Sequence, residues 1–255
     1  MPEVRPYYSD KGLTAAFYDL TTALDPTLKG DIDIYLGLTR PGASVLELGA
    51  GTGRVSMALA EQGRSVLGLD LAPTMLVQAE NRREAASPEV AARMRFVRGD
   101  MAALKLGESF DAVICPFFGL AHLPAGAAWR NVFTGVAAHL KPGGMAAFHL
   151  PKAERLAEPA PPPERPVLQH RLDATGRQLS IFIKSRTSKP AVARFDQVVD
   201  HVVTDAAGRI ERQARERLTY YAADPTPFAL DAGLTLDRPP IDLGGVGAVH
   251  VFRRD

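Results

Sequence analysis

The sequence predicts an α/β protein: a mostly parallel sheet covered by helices on both faces, with an antiparallel β insertion late in the chain. Three observations predict it. Strand-like apolar runs alternate with helix-spaced ones from "ASVLEL" (residues 43–48) to "MAAFHL" (residues 145–150). A glycine-rich turn, "GAGTG" (residues 49–53), joins the first of those strands to the first of those helices. The stretch "AEPAPPPERP" (residues 157–166) then breaks the alternation, and beyond it the apolar period is two.

Each element has its own signal. Residues 1–40 mix polar and aromatic positions and read as short helices and loops, an N-terminal helical cover. Pro41-Gly42 punctuates the chain before the first buried strand. In "RVSMALAEQ", Val55, Ala58, Leu59 and Gln62 fall at helical spacing, and Gly63 supplies a C-terminal stop. "SVLGLD" is a second strand, and Pro73 suits the first position of the next helix. Pro88 interrupts that helix; "MRFVRGD" and "FDAVIC" are the third and fourth strands. A helix around Trp129 and Val136 leads through a "KPGG" turn to the fifth strand, and Trp129 anchors that helix to the sheet. After the prolines, "LSIFI", "ARFDQVVDHVV" and "GRIERQARERLTYY" read as strands. "DATGR" and "DAAGR" (residues 173–177 and 205–209) share the Asp-to-Gly spacing of a hairpin turn, so two antiparallel hairpins are expected. "PTPFALDAG" is a short helix, "LTLDRPPIDL" an irregular strand and "AVHVFRR" a last strand. The expected organisation is a cover (1–40), an α/β core (41–158), a β insertion or lid (159–221) and a C-terminal completion of the core sheet (222–255).

Composition narrows the function classes. A chain of 255 residues, 46% hydrophobic and 23% charged, suits a globular fold with a sizeable core. A net charge of +1 gives no bulk electrostatic case for nucleic acid or an anionic membrane. One cysteine, Cys115, rules out a disulfide framework and any multi-cysteine metal site, and it reads as an inert buried thiol. The start, "MPEVRPYYSDKG", has no apolar core of a signal peptide, and no run approaches the ~20 apolar residues of a spanning helix. The cytoplasm is the expected compartment.

The glycine turn asks for a ligand. A strand–turn–helix unit presents free N–H groups at the helix start, and glycines let the ligand approach the backbone. A dinucleotide fingerprint needs a glycine where Arg54 stands, so an NAD-dependent oxidoreductase is disfavoured. The spacing is G-x-G-x-G, preceded by Glu47. Asp70 ends the second strand, where a carboxylate accepts both hydroxyls of a ribose. Asp100 ends the third, where it and the Met101 amide suit the edge of an adenine; the plainer reading of Asp100 is a helix cap.

"VLELGAGTGR", "LGLDLAPTML", "VRGDM" and "LKPGG", in this order, resemble class I S-adenosylmethionine-dependent methyltransferases; the likeness covers residues 45–150. It implies a Rossmann-like class I methyltransferase fold, seven strands with the last antiparallel, and S-adenosylmethionine as cofactor with S-adenosylhomocysteine as product. It places Glu47 and Gly49 near the methionine part, Asp70 on the ribose, and Asp100 and Met101 at the adenine. It adds Ala50, Gly51, Gly53, Leu71, Met75 and Pro116 to the cofactor-binding set.

The acceptor would lie beside "CPFFGLAHLP" (residues 115–124), which holds no carboxylate and no asparagine. That disfavours a catechol-type magnesium site, and no metal is expected. "LAHLP" and "RLTYY" (residues 217–221) resemble segments of glycine N-methyltransferase, and the first also those of amino-sugar N,N-dimethyltransferases. The resemblance implies N-methylation of a small molecule, with His122 accepting, relaying or orienting the amine proton; a pKa of about 6.5 suits that task. The plain alternative has His122 packed on the lid. Tyr7, Tyr8 and Tyr18 are roof candidates, Tyr8 the catalytic one among them. Phe117, Phe118, Leu120 and Leu123 suggest an apolar mouth, with Tyr18, His149 and one of Tyr220 and Tyr221 beside it. Phe118 and Leu150 replace an asparagine and an arginine of glycine N-methyltransferase, so the expected acceptor is larger and less polar than glycine. The Arg-rich "RIERQARERL" reads as a solvated strand with cross-strand ion pairs, not a nucleic-acid groove. Small-molecule O-methylation and a non-catalytic cofactor-binding scaffold or sensor stay open at this point, as does a homodimer.

Overall fold

The computed structural model describes residues 3–9 and 12–255. In chain order its elements are β1 (Val4–Pro6), α1 (Thr14–Leu24), α2 (Asp31–Leu38), β2 (Ser44–Leu48), α3 (Arg54–Glu61), β3 (Ser65–Asp70) and α4 (Pro73–Glu84). There follow α5 (Pro88–Ala91), β4 (Met94–Arg98), β5 (Phe110–Cys115), α6 (Ala127–His139), β6 (Leu140–Pro151) and α7 (Ala153–Leu156). The chain continues with β7 (Leu168–Arg171), β8 (Gln178–Lys189), β9 (Arg194–Thr204), β10 (Ile210–Tyr221), α8 (Thr226–Asp231), β11 (Leu234–Leu243) and β12 (Gly247–Arg254). None of the described helices is long and apolar enough to cross a membrane.

Seven strands form one sheet in the order β11-β12-β6-β5-β2-β3-β4. Pairing is parallel from β4 through β6, and β12 alone runs against its neighbours β6 and β11. The central strands are apolar on both faces because both faces are covered. Leu46, Leu48, Val113 and Cys115 face one core with α6, and Val45, Ala112 and Ile114 face the other with Tyr35 of α2 and Val55 and Leu59 of α3. On α6, Trp129, Val132, Phe133 and Val136 repeat at helical spacing and are fully buried. Trp129 Nε1 donates to the Leu123 carbonyl at 2.9 Å, which ties the helix to the loop after β5. "KPGG" sits inside the opening of β6, where pairing jumps from Phe110↔Leu140 to Ala112↔Met145.

The second sheet, β1-β10-β9-β8-β7, is the insertion plus one strand from the cover. Its hairpins turn where the two Asp–Gly segments sit, with Gly176 and Gly208 at φ of 88° and 79°. The cover is not purely helical: β1 pairs in parallel with β10, and no alternation in a three-residue strand announces that. Leu13 packs under this sheet with Leu179, Ile181, Val199, Val203 and Ala214, joined by Phe17 and Leu20, so α1 lies on the lid. The Arg-rich strand does carry a cross-strand ion pair, Arg215 with Asp200, and its Glu211 pairs with Arg177 in the turn before β8. It is not wholly solvated, because Glu216 within it is fully buried.

Candidate active site

The turns that follow β2, β3, β4 and β5 lie on one edge of the parallel sheet, where such folds bind ligands. Together with the cover and the lid they enclose a cavity of about 440 Å³. The first turn is built by glycine: Gly49, Gly51 and Gly53 take φ of 69°, 57° and 74°, where a Cβ is strained. The amides of Gly49 and Ala50 both donate to the Leu69 carbonyl, at 2.8 and 3.0 Å. Asp70 accepts from the Gly51 amide at Oδ2 and from the Ala72 amide at Oδ1, each at 2.8 Å. Each oxygen keeps a lone pair for a further donor. Burial raises the Asp70 pKa, and these backbone bonds oppose it.

Glu47 reaches the cavity from β2 and is only 2% exposed. Ser56 Oγ donates to its Oε2 at 2.5 Å. Burial pushes the Glu47 carboxyl up to about 8, against the Ser56 bond and the nearby Arg54 charge. Arg54, the first residue of α3, lines the same cavity and is held by the Asp31 carboxylate. Asp100 accepts from the Ala102 amide at 2.8 Å, so the capping reading of this residue is realised at the cavity wall.

The other end is aromatic. Tyr8 packs against Tyr7 (centroids 4.8 Å apart), Tyr18 (6.0 Å) and His122 (5.8 Å). Tyr18 meets Phe117 at 6.3 Å, and His122 packs at a tilt against Tyr220 at 5.0 Å. Burial pulls the His122 pKa down to about 4, opposed by a hydrogen bond with the Thr219 backbone. The expectation of an ordinary imidazole value is therefore corrected: His122 is neutral at neutral pH. Burial also raises Tyr8 and Tyr18 far above the usual phenol range, which keeps both protonated. Tyr8, Phe117 and Phe118 hold positive φ (62°, 42° and 64°), a strained geometry for aromatic residues that clusters at this wall.

The cavity brings together Glu47, Gly49, Ala50, Gly51, Asp70, Leu71, Met75, Asp100, Met101, Pro116, Tyr8, Tyr18, Phe117 and His122. It leaves out four expected residues. Gly53 faces the Phe96 ring across from the cavity. Phe118 turns into the core against His149 (4.4 Å) and Tyr220 (5.7 Å), so these three stand behind the wall. The two consecutive left-handed residues send Phe117 outward and Phe118 inward. Leu120 is likewise fully buried, which reduces the apolar mouth to Phe117 and Leu123. Cys115 is fully buried, and burial raises its thiol to about 12. Sequence reasoning passed over Arg54 as a breaker of another motif, and its place beside Glu47 needed the Asp31 contact to be seen. Arg217 and Thr219 also border the cavity, on a strand read only for its pattern.

A family model described as a methyltransferase domain matches residues 45–144. Those residues contain every turn of the cavity floor. The ubiquinone biosynthesis O-methyltransferase of Xanthomonas campestris is 40% identical over 104 residues, 41% of each chain, so the match spans about two-fifths of that relative. Beyond those residues the likeness is one of fold. The CcbJ methyltransferase of Streptomyces caelestis superposes with a TM-score of 0.74 at 23% identity, covering 98% of both chains. The sugar N-methyltransferase KedS8 of Streptoalloteichus sp. gives 0.69 at 18% identity, covering 100% of this chain and 98% of its own. The fold is that of class I methyltransferases, insertion included.

Proposed function

We propose that this protein transfers a methyl group from S-adenosylmethionine to a nitrogen atom of a small molecule. The residues present fit that cofactor. Asp70 has two acceptor oxygens, already oriented by backbone amides, to receive a ribose diol. Glu47 and Arg54 offer a carboxyl and a guanidinium side by side for the two charged groups of a methionine end. Met101 and Leu71 border the space left for a flat base. When bound, the cofactor supplies a methyl group activated on a sulfonium.

The observation that carries the nitrogen reading is His122, packed against Tyr8 and Tyr220 and held neutral. An imidazole this weakly basic is a poor acceptor for an alcohol proton. An amine needs no such acceptor: it attacks unprotonated, and the methylated ammonium gives its proton to water after leaving the site. His122 then orients the amine by a hydrogen bond, and the aromatic wall holds a developing ammonium through its ring faces. Tyr8 and Tyr18, both protonated, exclude water from the reacting end. The whole-length likeness in fold to a sugar N-methyltransferase supports a ring-sized acceptor. O-methylation is the second reading, favoured by the identity to a ubiquinone biosynthesis O-methyltransferase, although that match is confined to the cofactor half.

Calorimetry with S-adenosylmethionine and S-adenosylhomocysteine, followed by a labelled-methyl screen over amines and phenols, tests the proposal. Turnover of amines is expected. Turnover of phenols alone overturns the nitrogen reading, and tight binding with no turnover would turn the protein into a sensor.

A further inference from the structure

Glu216 lies in the middle of β10, in a run of charges, and is fully buried. Its Oε2 accepts from the amides of Leu13 and Thr14, at 3.0 and 3.1 Å, which are the opening donors of α1. An anionic acceptor here satisfies two helix N–H groups and complements the helix dipole. The His201 Nδ1 stands 3.4 Å from the same oxygen. Gly12 has no room for a side chain, because a Cβ there would overlap Glu216 Oε1. The neighbouring strand residue, Arg217, accepts the Tyr7 amide at its carbonyl, 3.2 Å away.

The consequences reach the cavity from both sides of the contact. One turn into α1, Tyr18 lines the cavity, and just before the contact Tyr7 and Tyr8 roof it. Asp19, next to Tyr18, accepts from Thr52 Oγ1 of the glycine turn at 2.5 Å and pairs with Arg82 of α4. Arg82 Nε in turn donates to the Thr52 carbonyl at 2.9 Å. Gln78 Nε2 of α4 donates to the Ala15 carbonyl at 2.9 Å. On β10 itself, Tyr220 is two alternations beyond Glu216 on the same face, and it packs on His122. Helix α1 is thus fastened at its start to the lid and along its length to the cofactor turn.

We propose that Glu216 is a positioning residue: by gripping the start of α1 it sets the tyrosine roof and braces the glycine turn through Asp19. The proposal rests on the methyltransferase reading for the identity of the ligand, not for the mechanical link. The test compares wild type with Glu216→Ala, Glu216→Gln and Gly12→Ala, the last forcing the contact apart from the other side. Two quantities are read in folded protein: the Kd for S-adenosylhomocysteine and the amide exchange of Tyr18 and Thr52. A hydrogen-bonded buried carboxylate predicts about a tenfold loss of affinity in Glu216→Ala and faster exchange at both amides. Glu216→Gln, which keeps one acceptor oxygen, should stay within about threefold of wild type. A merely structural role would lower Tm alone, so a folded Glu216→Ala with unchanged Kd and exchange overturns the proposal. If Glu216→Ala does not fold, Gly12→Ala decides by the same two readouts. Wild type failing to bind S-adenosylhomocysteine would sink the methyltransferase reading, and exchange at Thr52 would still decide the link.

Discussion

Two carboxylates hold the cavity together, and they do so over very different stretches of chain. Asp70 grips the amide of Gly51, 19 residues away, inside one β–turn–α–β unit. Glu216 grips the amides of Leu13 and Thr14, 203 and 202 residues away, across the lid and the cover. The first contact is part of a local pattern that any strand–turn–helix unit with the right glycines reproduces. The second exists only because β1 and α1 settle against an insertion made far later in the chain. The floor of the cavity is therefore built locally, and its roof is assembled from distant segments.

The contrast is broken or sharpened by four measurements. Asp70→Ala should have the largest effect: the affinity for S-adenosylhomocysteine should fall by about a hundredfold or more, since both the proposed ribose contact and the brace on Gly51 disappear. An unchanged Kd would remove the cofactor half from the argument. His122→Ala, at the meeting point of cover, turn and lid, should lower kcat by about tenfold to a hundredfold while leaving that Kd nearly intact. Because His122 is held at about 4 in the wild-type protein, its titration should not appear in the kcat profile above about pH 5. A wild-type profile with a limb near the ordinary histidine value, lost in the variant, would restore a proton-accepting role.

Glu47 gives a smaller, pH-dependent effect. Its carboxyl titrates near 8 when folded and near 4.5 otherwise. Between those values the ligand-free folded protein keeps a proton that the unfolded chain has lost, so stability falls as pH rises through that window. Glu47→Gln should flatten that slope, a difference on the order of 1–3 kcal/mol in chemical denaturation. A cation placed against the ionised carboxylate reverses the preference, so cofactor affinity should rise with pH up to about 8. The smallest effect belongs to the lid's outer face, where Arg177 pairs with Glu211 in solvent. Arg177→Ala should leave Tm and turnover unchanged.

The same contrast decides what could be read from residues alone. The parallel sheet, the two hairpin turns and the glycine turn follow from local signals: glycine spacing, strand-ending acids and proline breaks. The antiparallel last strand and most of the expected cofactor residues came only with the family resemblance. The acceptor end was less legible. Nothing local tells that Phe117 and Phe118 adopt left-handed backbone and part to opposite sides of the wall. His149 and Tyr220 stand behind it for the same reason. Glu216 was hidden in "RIERQARERL", because charge-rich alternation reads as a solvated strand until something covers one face. Strict alternation does place Glu216 on the face of Ala214 and Leu218, both buried. An acid on an apolar stripe was the available sign.

One consequence concerns the single tryptophan. Trp129 is fully buried, and its indole N–H is committed to the Leu123 carbonyl, next to His122 and on the cavity wall. Indole emission responds to the dipoles around the ring. Any ligand that shifts the His122–Leu123 segment therefore writes its arrival into the fluorescence of this chain, and the protein carries its own unlabelled reporter for finding what it binds.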